Sequence, residues 1–164
     1  MEVILKIAIV MGSISDLEVV KKGINILKEF DVDFEVRILS AHRTPIEALN
    51  FSKNAENEFD VIIGAAGKAA HLPGVIASHT ILPVIGLPIK SSTLDGLDSL
   101  LSIVQMPKGI PVATVALNGS ENAALLAIQI MSLKYEVLKD KLKIYREKMR
   151  EDVLKQDKEL VYNL

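Results

Sequence analysis

The sequence predicts an α/β fold built on a single parallel sheet, and two observations carry that prediction. Five short apolar runs alternate with helical patterns, and parallel strands need such crossover connections and burial on both faces of the sheet. At 164 residues the chain has the length of one domain, enough to bury a substantial core without disulfides or a metal.

Each element follows from a local pattern. Val3 to Met11 is almost continuously apolar and ends at Gly12, which reads as a buried strand. From Asp16 to Phe30, Leu17, Val20, Ile24 and Leu27 recur at helical spacing. Phe34, Val36 and Ile38 alternate as a second strand, and Thr44-Pro45 signals the start of a helix from Pro45 to Asn57. A third strand, Val61 to Ala65, leads into a loop rich in glycine and alanine and a helix near Pro73 to His79. Pro83 to Leu87 and Pro111 to Ala116 read as the fourth and fifth strands, with a helix from Leu94 to Gln105 between them that Met106-Pro107 stops. Asn122 to Leu133 supplies a further apolar helix. The expected strand order is 2-1-3-4-5, a flavodoxin-like three-layer αβα sandwich in which the loops after the first three strands share one crevice at the switch point.

After Tyr135 the composition changes to a charged helix in which Leu138, Leu142, Tyr145, Met149 and Val153 recur at intervals of three and four. The rest of the chain offers no second seam to receive this one. The expected division is a domain over residues 1–135 and a C-terminal helical extension over 136–164 that packs on a neighbouring subunit, with packing on its own domain as the alternative.

Charge and composition exclude several classes of function. Lysine and arginine number 19 against 21 acidic residues, and a net charge of −2 gives no general attraction to nucleic acid or to an anionic membrane. An anionic ligand is therefore held locally. No apolar run approaches the roughly 20 residues that span a bilayer, so the apolar excess points to another subunit rather than to lipid. The absence of cysteine excludes disulfides, thiolate zinc sites and cysteine nucleophiles. No basic segment, apolar stretch and cleavage site stand in secretory order at the N-terminus, and the expected location is the cytoplasm.

The chemistry concentrates in three loops. Ser40-Ala41-His42-Arg43-Thr44-Pro45 sets an imidazole beside a fixed cation where a strand ends and a helix begins. Histidine, with an unperturbed pKa of roughly 6.5, exchanges a proton near neutrality, and arginine grips a phosphate or carboxylate with two parallel hydrogen bonds. The same pair is also compatible with simple helix capping. Gly12-Ser13-Ile14-Ser15-Asp16 offers free backbone N–H groups, two hydroxyls and the positive end of a helix dipole to an anion, although Ser15 or Asp16 equally suits an ordinary N-cap. It has neither the P-loop pattern nor the dinucleotide fingerprint, which favours a lone phosphate over a nucleotide tail. With phosphate there, Asp16 is expected to point away from it, and a ribose hydroxyl suits that carboxylate. Gly64 to Gly74 is nearly devoid of large side chains until His71 and Leu72, so its backbone either approaches a flat ligand or packs closely on the sheet. His42 and His71 have no carboxylate or third histidine at ligand spacing, which argues against a metal. His79 reads as a solvated or packed residue.

Five motifs in order carry a resemblance to a known family. Gly-Ser-x-Ser-Asp at 12 to 16, Ser-Ala-His-Arg-Thr-Pro at 40 to 45, Ala-Ala-His-Leu-Pro-Gly at 69 to 74, Pro-Val-Ile-Gly at 83 to 86 and Ser-Ile-Val-Gln-Met-Pro-x-Gly-Ile-Pro-Val-Ala-Thr at 102 to 114 resemble the bacterial and archaeal 5-(carboxyamino)imidazole ribonucleotide mutases of purine biosynthesis. The resemblance implies a flavodoxin-like homo-octamer that converts 5-(carboxyamino)imidazole ribonucleotide into 4-carboxy-5-aminoimidazole ribonucleotide without cofactor or metal. It places His42 at the general acid/base position and Ser13, Asp16 and Arg43 at ribonucleotide-binding positions. Ser15, Ser40, Ala41, Gly67, Ala69, His71 and Leu72 fall in the matching pocket loops. Ala-His-Leu-Pro-Gly resembles the mutase branch more than the animal-type branch that carboxylates aminoimidazole ribonucleotide directly. That carboxylase, and a sensor that binds a purine ribonucleotide without turnover, are the rival readings.

One position departs from the family's pattern. The third loop of the family commonly reads Gly-Gly-Ala-Ala-His, whereas this chain has Gly67-Lys68-Ala69-Ala70-His71. Lys68 is strained there if the position requires positive φ, and otherwise faces solvent at the edge of the substrate pocket.

Overall fold

The computed structural model describes residues 5–161, so Val3 lies outside the described residues. Five strands, β1 (Lys6–Met11), β2 (Asp33–Ile38), β3 (Val61–Gly67), β4 (Val84–Ile89) and β5 (Ala113–Thr114), form one sheet in the order β2-β1-β3-β4-β5. All neighbouring pairs are parallel. Six α-helices connect or follow them: α1 (Leu17–Glu29), α2 (Pro45–Asn54), α3 (Leu72–Ala77), α4 (Leu97–Val104), α5 (Ser120–Met131) and α6 (Glu136–Val161). The expected strand order and layering are those observed.

Side-chain alternation along the central strands divides the core in two. Ile7, Ile9, Met11, Val61, Ile63, Ile85 and Leu87 face α1 and α5, meeting Val20, Leu27, Ala124 and Ile128. Ala8, Val10, Ile62 and Val84 face the other way, onto Ala48, Leu72, Ile76 and Ile103. Burying each large aliphatic side chain contributes roughly 1.5–3 kcal/mol, whereas the exposed ion pairs such as Lys21–Glu18 and Arg150–Glu147 fall in a class worth roughly 0–1 kcal/mol. Apolar burial therefore holds the layers together.

Three elements differ from the sequence reading. β5 contracts from the expected Pro111 to Ala116 to two residues, aligned with Ile85 and Gly86. Pro111 has no N–H to give a ladder and stands exposed before the strand, and beyond the strand the Val115 N–H to Gly86 O bond, 3.1 Å, and the Asn118 N–H to Pro88 O bond, 2.9 Å, continue the link to β4. The helix expected from Leu94 begins at Leu97, because Leu94, Asp95 and Gly96 take left-handed φ values of 48°, 53° and 94°. The C-terminal seam divides in two. Leu138 and Leu142 are buried in the chain's own core, and Tyr145 stacks obliquely on Phe30 with ring centroids 5.4 Å apart. Met149 and Val153 remain more than half exposed. The first turns of α6 thus find within the chain the partner that the sequence pattern did not reveal. Lys141 Nζ fastens them further, donating to Phe30 O at 2.7 Å and pairing with Asp31 at 2.8 Å.

Candidate active site

The parallel topology brings the carboxyl ends of β1 to β4 to one edge, where they enclose a cleft of about 680 Å³. Ser13, Ser15, Asp16, Ser40, Ala41, His42, Arg43, Gly67, Lys68, Ala69 and Leu72 all line it. The three loops singled out from sequence thus share one site.

The loop after β2 is tied internally and to its neighbour. Ser40 N–H donates to Thr44 Oγ1 at 2.8 Å, and Thr44 N–H and Oγ1 both return to Ser40 O. Thr44 therefore spends its hydroxyl on the loop instead of capping α2, whose first turn Pro45 sets. Arg43 lies across the gap to β1: its Nη2 donates to Gly12 O at 2.5 Å and its Nε to Ser40 Oγ at 3.3 Å. His42, exposed between them, makes no hydrogen bond among the described residues. An imidazole so placed can exchange a proton with a ligand without first breaking a protein contact.

The loop after β1 turns its hydroxyls inward. Ser13 Oγ accepts from Ser15 N at 3.3 Å and from Ser15 Oγ at 3.0 Å, so the residue that caps this turn is Ser13 rather than the expected Ser15 or Asp16, and Asp16 makes no side-chain cap bond to α1. Asp16 is only 8 % exposed. Burial pushes its carboxyl above the ordinary carboxylate value, and the Ser15 hydroxyl, the Ser13 backbone and the Arg43 charge oppose that shift in part. A buried carboxylate at a ligand cleft is ready to accept hydrogen bonds from a hydroxylated ligand.

The loop after β3 is built differently. Lys68 takes φ 57° and is exposed, so the strained alternative holds at this position and the side chain still reaches the cleft rim. His71 does not join the cleft lining. Its Nδ1 meets Ser102 O, and because a carbonyl only accepts, the proton sits on Nδ1. The ring lies against Gly74, where an added Cβ would overlap it. His79 is exposed, with Nδ1 near Ser78 Oγ and Val75 O, and the three histidines do not converge.

The sequence reading missed the fourth wall. Ile89, at the end of β4, and Lys90, Ser91 and Ser92 after it also line the cleft. Asn118 Oδ1 holds the Lys90 N–H at 2.9 Å, Lys90 Nζ pairs with Asp95 at 2.6 Å, and Ser91 Oγ contacts both oxygens of Asp98. Adjacency of β4 to β3 in the expected order was the available signal.

Fold and site together define a doubly wound α/β protein whose switch-point cleft combines an unengaged imidazole with serine hydroxyls and a guanidinium. The family model described as AIR carboxylase matches residues 6–152, and the chain belongs to that family. It is 57% identical over 150 residues to the N5-carboxyaminoimidazole ribonucleotide mutase of Saccharolobus solfataricus, covering 91% of this chain and 95% of that protein. The mutase of Thermotoga maritima is 54% identical over 156 residues, with 94% and 91% covered. Among solved structures, Treponema denticola PurE superposes with a TM-score of 0.86 at 31% identity, covering 94% of this chain and 98% of that one.

Proposed function

We infer that the protein is an enzyme of purine biosynthesis, an isomerase that converts 5-(carboxyamino)imidazole ribonucleotide into 4-carboxy-5-aminoimidazole ribonucleotide. Mutase relatives more than 50% identical over nearly the whole chain support the activity. One observation carries the mechanism: His42 stands free in the cleft beside Arg43, which reaches Gly12 O at the start of the hydroxyl-bearing loop after β1.

The chemistry needs one proton carrier. Protonated His42 donates to the exocyclic nitrogen as the N–CO2 bond breaks and carbon dioxide leaves. The electron-rich ring carbon C4 then attacks the trapped carbon dioxide, and neutral His42 removes the C4 proton to restore the aromatic ring. The imidazole ends as it began. Ser13, Ser15 and Arg43 grip the phosphate, Asp16 accepts from ribose, and Ser40 and Ala41 complete that wall. Gly67, Ala69 and Leu72 keep the opposite wall close to the base, so the reactants stay in register. The working assembly is a homo-octamer in the cytoplasm, its contacts supplied by apolar side chains exposed here, such as Leu97, Leu101 and Val104 on α4 and Met149 and Val153 on α6.

Carboxyl-labelled substrate tests the reaction. Incubated with abundant unlabelled bicarbonate, it is expected to yield 4-carboxylated product that keeps the label, because carbon dioxide recombines faster than it escapes. Product carrying mostly solution carbon would identify a direct carboxylase, and binding without product a sensor.

A further inference from the structure

We propose that Lys68 is the counter-cation for the carboxyl group that migrates, an assignment that rests on the functional reading above. The substrate carries two anionic groups, a phosphate at the ribose end and a carboxylate at the base end. Three fixed cations line the cleft: Arg43, Lys68 and Lys90. Arg43 is bonded to Gly12 O and Ser40 Oγ, which keeps it at the β1 and β2 loops. Lys90 is neutralised by Asp95 at 2.6 Å. The Lys68 ammonium has no hydrogen bond or ion pair among the described residues. Asp16, the one acid in the lining, stands on the β1 loop.

Topology separates the two charges by a suitable span. Adjacent strands lie roughly 4.8 Å apart, so the ends of β2 and β3, with β1 between them, stand roughly 10 Å apart. A phosphate gripped at Arg43 therefore directs the base and its carboxylate toward the β3 loop. There the small residues Gly67, Ala69 and Ala70 leave room for the ligand, and Lys68 is the one charged side chain on that loop. Lys68 takes a left-handed backbone, φ 57°, directly after β3, and lines the cleft. An ammonium at this place pairs with the carboxylate on the exocyclic nitrogen before carbon dioxide leaves and with the carboxylate on C4 after it has added.

The test compares two ribonucleotides that differ only in the carboxyl group. Lys68→Gly suits the left-handed backbone, so the fold is expected to survive, as circular dichroism will show. KM for 5-(carboxyamino)imidazole ribonucleotide should rise about tenfold, as for loss of one charge-assisted contact. Affinity for aminoimidazole ribonucleotide, which lacks the carboxyl, should stay within about twofold, and Lys68→Arg should restore most of the loss. Equal weakening toward both ligands, or unchanged KM in a variant of an active enzyme, overturns the assignment of Lys68 alone. Wild-type protein that converts no carboxylated substrate overturns the functional reading and this assignment with it.

Discussion

The two walls of the cleft are made by different means. On the β1 and β2 side, Ser13, Ser15, Asp16, Ser40, Arg43 and Thr44 are knitted into one network, with Arg43 bridging to Gly12 O. On the β3 side, residues 67 to 70 make no side-chain hydrogen bond among the described residues, and the wall takes its shape from small residues and a left-handed backbone. The comparison teaches a division of labour: one wall arrives with its donors oriented, and the other leaves its charge and its space for the ligand.

The strongest challenge to that division is His42→Asn. His42 sits on the knitted wall without taking part in the knitting, so its loss should leave folding and ribonucleotide affinity nearly intact while turnover falls at least ~10²-fold, as for a missing general acid/base. Steady-state rates beside equilibrium binding decide it. Near-normal turnover would remove His42 from the mechanism.

Arg43→Ala attacks the network itself. KM should rise roughly tenfold or more, since a charge-assisted grip is lost. The defect should shrink when the dephosphorylated nucleoside replaces the ribonucleotide. Equal defects toward both ligands would place the phosphate elsewhere and reduce Arg43 to a strut between β1 and β2.

The smallest effect sharpens the picture most. Burial raises the Asp16 carboxyl in the folded state, so its ionisation opposes folding. That penalty is absent below the ordinary carboxylate pKa, grows as pH climbs from there to the raised folded value, and is complete above it. Asp16→Asn should therefore equal the wild type in stability at strongly acid pH and exceed it modestly at neutral pH, while binding the ribonucleotide more weakly. Denaturant midpoints across pH, with a parallel binding titration, check both halves. A gain that shrinks as pH rises would reverse the sign and refute the burial argument.

Legibility from sequence tracked how local the determining physics was. The strand order, and the meeting of Ser13, His42, Arg43 and Gly67, follow from crossover rules and strand-end positions that one chain displays. His71 stands outside the cleft lining, and its neighbour is a carbonyl on α4, 31 residues away, which no motif announces. Lys90 and Ser91 were overlooked because their loop lacks distinctive residue types, although β4 neighbours β3 in the expected order. For Lys68 the sequence poses a question about φ, and the backbone answers it with 57°. The partner of the α6 seam was hidden for a similar reason: it is assembled from Phe30 and residues of α5 that share no repeat.

The link from Lys141 to Phe30 O and Asp31 has a further consequence for how the molecule opens. Phe30 follows the last turn of α1, where carbonyls lack intrahelical donors, and a lysine from the far end of the chain supplies one. The tail of α1 and the start of α6 therefore share their protection from solvent exchange. Neither can fray without exposing the other, which makes them one cooperative unit although 111 positions separate them along the chain.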